Sequence, residues 1–209
     1  MTIHRVLTSA QPEFHALLGI YTQAHPESER KSLASLSAMI ARPECFFLAA
    51  LHHGAVVGFT ISNCFLDSDA ALLEYMAVAV DHRNRGIGKS LFQATVNFPA
   101  LAPRTVLIEV DSNLVAAPDA ADCTRRKAFY RSLGCREIER LSFLMPRVSS
   151  TLPPPMELLV YRNRLPQSIE KARLLRWLRD CYVQVYQAPP NDPRIDAMLS
   201  PLPDTIRLL

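Results

Sequence analysis

Between an apolar run and the next helix-forming stretch lies Arg83-Asn84-Arg85-Gly86-Ile87-Gly88-Lys89, and no other feature limits the chain so strongly. Two glycines two positions apart permit positive φ and let a ligand approach a backbone that carries no Cβ. The helix that follows begins with N–H groups lacking intrahelical partners and with the positive end of its dipole. Arg83, Arg85 and Lys89 add cationic charge for which a buried apolar turn has no use. Strand, basic glycine turn and helix together predict an anion site in which main-chain donors from Arg83 to Lys89 hold a diphosphate. A solvated basic loop without a ligand is the plainer alternative.

Two other phosphate motifs come close and fail. Gly88-Lys89-Ser90 resembles the end of a P-loop, but that motif needs a glycine at the position of Arg83. The dinucleotide fingerprint needs a glycine where Leu91 stands. A P-loop nucleotide-binding protein therefore stays only as a lesser alternative.

With 209 residues the chain suits one domain with appended structure. Its composition, 49% hydrophobic and 21% charged, is that of a globular protein rather than a disordered one. A net charge of +3 suits a phosphate-bearing ligand and is too small to indicate nucleic acid. The five cysteines (Cys45, Cys64, Cys123, Cys135, Cys181) form no CxxC pair, so neither a metal site nor a disulfide framework is expected. Free thiols, no apolar leader in Met1–Val6 and no membrane-spanning run point to a cytoplasmic protein.

Along the chain, Ile3–Leu7 reads as a strand, followed by one helix from Pro12 and a second from Pro26 to about Ala41. Cys45–Leu51 and Ala55–Leu66 read as a hairpin about His52-His53-Gly54, whose histidines are expected to be solvated. Leu72–Val80 is a third strand, and the basic turn leads into a helix from Lys89 to Asn97. Thr105–Asp111 is an apolar strand interrupted by one acid, Glu109; after the loop Ser112–Asp122 comes a helix, Cys123–Leu133, closed by Gly134. Arg136–Met145 and Met156–Arg162 read as strands. Beyond them, Pro166 opens an amphipathic helix carrying Leu174, Leu178, Cys181 and Val185 on one side, and five prolines from Pro189 to Pro203 suggest an extended tail. Strands alternating with helices imply a mixed α/β sheet.

At this point the sequence resembles the GNAT superfamily of acyl-CoA-dependent N-acyltransferases. Met76-Ala77-Val78, Arg83-x-x-Gly86-x-Gly88, Leu107-Ile108-Glu109-Val110 and Ala128-Phe129-Tyr130-Arg131-Ser132-Leu133-Gly134 carry the likeness, in order, within roughly residues 1–162. The resemblance implies an α+β domain whose mostly antiparallel sheet splays at the cofactor site, with residues 163–209 as an extension. It implies that Met76 and Val78 offer backbone groups to pantetheine, that Arg83, Asn84, Arg85, Gly86, Ile87, Gly88 and Lys89 hold the pyrophosphate, and that Tyr130 lies near the sulfur. Where relatives carry asparagine seven residues before the tyrosine, this chain has Cys123; either Asn113 takes that place across the enlarged loop or no residue does.

Transfer from a thioester to an amine requires a neutral amine, a stabilised oxyanion and a protonated leaving thiolate. Glu109 is the first candidate base, matching the strand acid of ribosomal-protein N-terminal acetyltransferases in the superfamily, and Glu74 the second. Tyr130 is the candidate proton donor to sulfur. The implied reaction moves acetyl from acetyl-CoA to a primary amine whose identity the sequence leaves open, as it leaves open a homodimer. A catalytically silent acyl-CoA-binding module is the alternative.

Overall fold

The computed structural model describes residues 1–112, 120–147 and 155–209. Seven strands form one sheet: β1 (Thr2–Val6), β2 (Cys45–His52), β3 (Ala55–Cys64), β4 (Ala70–Val78), β5 (Thr105–Asp111), β6 (Arg136–Glu137) and β7 (Met156–Tyr161), in spatial order β1-β2-β3-β4-β5-β7-β6. All neighbouring pairs are antiparallel except β4 and β5, whose crossover contains a helix. This is the mixed, mostly antiparallel sheet that the resemblance implies. The β2–β3 hairpin closes on His53 and Gly54, both with positive φ (50° and 80°), the two-residue turn whose twist suits paired strands.

Alternation along the strands sorts the apolar side chains to two faces. On one face, helices α1 (Pro12–Ala24) and α2 (Leu33–Met39) set Phe14, Leu17, Tyr21 and Leu36 against Phe47, Phe59 and Ile61. On the other, α3 (Ile87–Val96) sets Phe92 and Val96 against Leu73, Val106 and Ile108, and Tyr130 of α4 (Ala120–Ser132) joins the same cluster. The chain after residue 162 extends the first layer. Strand β8 (Ser168–Glu170), helix α5 (Lys171–Asp180), a π turn (Cys181–Val185), helix α6 (Pro193–Leu199) and strand β9 (Thr205–Arg207) pack Leu174, Trp177, Tyr182 and Leu199 on Leu72, Leu107, Leu158 and Val160. Asp69, at the start of β4, accepts hydrogen bonds from Arg162, Arg173 and the Trp177 indole (3.0 Å to Nε1), which hold its carboxyl far below the usual range although burial opposes them.

Three expectations are corrected. The single helix from Pro26 to Ala41 is a 3₁₀ turn, Glu27–Glu29, and then the shorter α2, because Ser32 Oγ accepts from Ser35 N–H (3.0 Å) and starts a new helix. The strand Arg136–Met145 stops at Glu137, where the chain leaves β7 and exchanges hydrogen bonds with Leu209 (Glu137 N–H to Leu209 O 3.2 Å, the reverse 2.9 Å). The tail is not simply extended: Pro193 occupies the first turn of α6, where its missing N–H costs nothing, behind the cap Asp192. Among the described residues no helix is long and apolar enough to cross a membrane. Trp177 is only 1% exposed at the centre of the C-terminal layer. Trp177→Ala is expected to destabilise the protein by about 3–5 kcal/mol, read as a lower urea midpoint at unchanged slope. A loss below about 1 kcal/mol would show that this layer lies outside the cooperative core.

Candidate active site

The site is built on a parting of two strands. β4 and β5 pair from Ala70–Thr105 only as far as Leu73–Ile108, whereas β4 continues along β3 to Val78 and β5 along β7 to Asp111. The register of β4 on β3 shifts between Ile61–Tyr75 and Ser62–Leu73, which leaves Glu74 as the extra residue of a bulge. A bulge bends its strand and raises the local twist, so Glu74 marks where β4 turns away from β5.

Parity decides which backbone groups face the gap. Ala79 donates its N–H to Val57 O (2.9 Å), and Val78, Ala77 and Met76 stand opposite Gly58, Phe59 and Thr60. Opposed residues of an antiparallel pair alternate between exchanging both hydrogen bonds and exchanging none. Ala77 is therefore the next bonded position, and the main-chain groups of Met76 and Val78 point away from β3 into the gap. Arg83 Nε reaching Val78 O from that side (3.2 Å) agrees.

A cavity of ≈ 660 Å³ occupies the gap. At one end lies the start of α3, with Gly86 as its N-cap at φ 77° and no side chain capping the first turn. Asn84 also has positive φ, 61°. Positive φ holds at Gly86 but not at Gly88, where a Cβ would instead meet Phe129 at 3.4 Å and Val78 Cγ2 at 3.8 Å. Gly88 thus keeps side-chain volume out of the cavity wall. A diphosphate fits the open first-turn N–H groups, and a linear chain attached to it fits the main chain of Met76 and Val78.

Two acids stand at the mouth of the parting, and they differ. Glu74 is spoken for at both oxygens, with Lys31 Nζ 2.6 Å from Oε1 and Asn63 Nδ2 donating to Oε2 at 2.6 Å. Glu109, on β5 just past the last paired residue, receives a hydrogen bond on Oε2 from the Tyr186 hydroxyl, while Oε1 has the Cys181 thiol at 3.9 Å. Burial raises the Glu109 carboxyl to about 7; the Tyr186 hydrogen bond works against that rise and the charge of Glu74 with it. Across the cavity, burial pushes the Tyr130 phenol well above its usual value, so it is held protonated. On the α1 side, burial and then the charges of Arg126 and Arg30 lower the His25 imidazole to about 4.

Of the residues singled out in the sequence, Glu74, Met76, Val78, Arg83, Asn84, Gly86, Ile87, Gly88, Lys89, Glu109 and Tyr130 all line this one cavity. Arg85 does not reach its wall, and Asn113 lies outside the described residues. His25, Lys31, Arg126 and Tyr186 were not foreseen. Lys31 falls in the break between the 3₁₀ turn and α2 and meets Glu74 only in three dimensions. Tyr186 comes from the C-terminal segment, and helical spacing does not place it with Cys181 and Val185; the π turn Cys181–Val185 brings it to the site.

Comparison with known proteins accords with this geometry. Residues 42–137 match the family model described as acetyltransferase (GNAT) domain. A protein assigned to the GNAT acetyltransferases from Bacteroides thetaiotaomicron superposes with TM-score 0.70 at 18% identity, covering 89% of this chain and 98% of its own. A GNAT family acetyltransferase from Elizabethkingia anophelis with acetyl-CoA bound gives 0.54 at 19% identity, covering 78% and 97%. The ribosomal-protein-S18-alanine N-acetyltransferase from Escherichia coli gives 0.53 at 20%, covering 79% and 98%. No curated protein matches the sequence. At these identities the solved structures show the fold. The chain therefore has the GNAT fold, and within it residues 42–137 match the GNAT acetyltransferase domain model.

His25 supplies a test of the site's electrostatics. Between its unfolded value of about 6.5 and its folded value of about 4, the unfolded chain carries a proton on this residue that the folded protein lacks. Stability from this group is full above that window and is lost as pH falls through it. Urea midpoints measured from pH 7 to pH 4 are expected to drop more steeply for wild type than for His25→Phe; parallel curves would contradict the assignment.

Proposed function

We propose that this protein is an N-acetyltransferase that moves an acetyl group from acetyl-CoA to a primary amine. The observation that carries the reading is the opened sheet: main-chain groups of Met76 and Val78 face Glu109 across a gap that ends at the uncapped start of α3. Acetyl-CoA supplies the activated acyl group. The protein supplies anion binding at Arg83–Lys89 and main-chain contacts along β4.

Glu109 suits the base better than Glu74, whose two oxygens are engaged. A lysine-like amine of pKa ~10.4 costs about 4–5 kcal/mol to neutralise at pH 7, and a carboxylate near 7 takes its proton more readily than an ordinary one near 4.3. Glu109 passes the ammonium's extra proton to solvent; then, as the C–N bond forms and the C–S bond breaks, an N–H proton of the neutral amine passes to Glu109. The leaving thiolate, with a thiol pKa of about 8.5, takes a proton downhill from Glu109. Full donation by Tyr130 runs uphill because burial has raised its phenol. Tyr130 therefore serves as a hydrogen-bond donor to sulfur rather than as the proton's source, and the Val78 N–H faces the acyl oxygen. The acceptor enters from the side walled by α1, the 3₁₀ turn and Tyr186.

Thiol release from acetyl-CoA, assayed against small amines, aminoglycosides, peptide α-amines and protein lysines, tests the reading. With a responsive acceptor, the rate is expected to climb with pH through about 7, as Glu109 ionises. Glu109→Gln should lower kcat/KM by roughly 100-fold or more and flatten that limb. Tyr130→Phe should lower kcat while leaving the KM for acetyl-CoA nearly unchanged. Tight binding of coenzyme A with no transfer to any amine would overturn the enzymatic reading.

A further inference from the structure

The residue that touches the Glu109 carboxylate comes from the far end of the chain. Cys181 and Tyr186 flank a π turn in which Tyr186 N–H bonds Cys181 O at 3.3 Å, a link five residues long. In a regular α-helix a residue five positions on lies ~140° around the axis. Widening the turn brings both side chains to one side, so that the thiol faces Oε1 and the hydroxyl faces Oε2 of the same carboxylate. π turns of this kind recur at functional sites. The turn is also fastened from outside. Lys31 Nζ donates to Val185 O (2.9 Å) while paired with Glu74, and it sits 5.7 Å from the centre of the Tyr186 ring.

Nothing in packing alone calls for this contact. Cys181 and Val185 already fill the apolar layer, whereas the Tyr186 hydroxyl is spent on the one acid that lines the cavity from β5. A carboxylate on an apolar strand could otherwise turn its oxygens freely, and either could face the acceptor. The groups facing Glu109 are Tyr186, Cys181 and Tyr182 from the C-terminal segment, Glu74 from the β4 bulge, and Lys31 from the loop before α2. Of these, Tyr186 gives the direct hydrogen bond and Cys181 only the weak contact of a thiol.

We propose that Tyr186 is a positioning residue for the transfer: it holds Oε2 of Glu109 and so presents Oε1 to the amine proton. The C-terminal segment, which lies outside the stretch matching the GNAT family, thereby completes the site. This inference rests on Glu109 acting as the base.

The test uses the full chain with Tyr186→Phe, which keeps the ring, beside Glu109→Gln. In Tyr186→Phe the acidic limb of kcat/KM is expected to move up by about one pH unit, because a hydrogen bond to the charged form is lost. Below the limb this is about a tenfold loss. The KM for acetyl-CoA should stay unchanged. The Glu109 carboxyl, followed by carbon-13 NMR without substrate, should titrate higher by the same amount; that measurement needs no turnover, and the folded spectrum reports on integrity. Transfer at the wild-type rate in Glu109→Gln would overturn the base reading and this inference with it. An inactive Glu109→Gln beside a Tyr186→Phe whose limb and carboxyl titration are both unmoved would overturn the role of Tyr186 alone.

Discussion

Beyond Leu73 and Ile108 the two central strands stop bonding to each other, although each continues along its outer neighbour. Backbone N–H and C=O groups in a protein interior demand partners, so a break in the middle of a sheet is costly unless something occupies it. Here the break is stabilised in stages. The bulge at Glu74 bends β4 away, Arg83 folds back to meet the Val78 carbonyl, and the acid stranded at the fork pairs with Lys31 and accepts a hydrogen bond from Asn63. What is left open is a groove whose edge presents main-chain groups of Met76 and Val78 and whose end is a helix N-terminus.

The same parting explains why the C-terminal segment sits where it does. Leu72 and Leu107 lie below the fork on the face already covered in part by α1 and α2, and that face needs a second cover. α5 and the π turn provide it, anchored at Asp69 below the fork and at Lys31 beside it. Glu109 projects from the same face as Leu107, so the covering segment meets it. Packing and site are one arrangement here, and they share Cys181, which belongs to the apolar layer and touches the carboxylate.

What could be read from the sequence was local. The hairpin, the basic glycine turn and the lone acid in an apolar strand each depend on neighbours a few positions away, and all appear as expected, with Gly86 in the positive-φ region. Reading failed where partners are distant. Ser32 interrupts an apparently continuous helix and so delivers Lys31 to Glu74, 43 positions further on. The tail prolines look disruptive in a composition count, but Pro193 starts a helix, and Thr205–Arg207 pairs with Ser168–Glu170. Tyr186 was not legible at all, because its hydroxyl's partner lies 77 residues earlier and only a π turn aims it there. Arg85 stands apart from its neighbours: its charge suits an anion site, but its side chain does not line the cavity.

The groove and the helix start form a single binding surface only if they take one ligand that carries both a diphosphate and a linear thiol arm. Calorimetric titration with coenzyme A, beside pantetheine lacking the diphosphate, measures this directly. One-to-one binding of coenzyme A that weakens as salt rises, with pantetheine bound far more weakly, is the result the structure predicts. Coenzyme A that fails to bind at millimolar concentration, or binds no better than pantetheine, would contradict it.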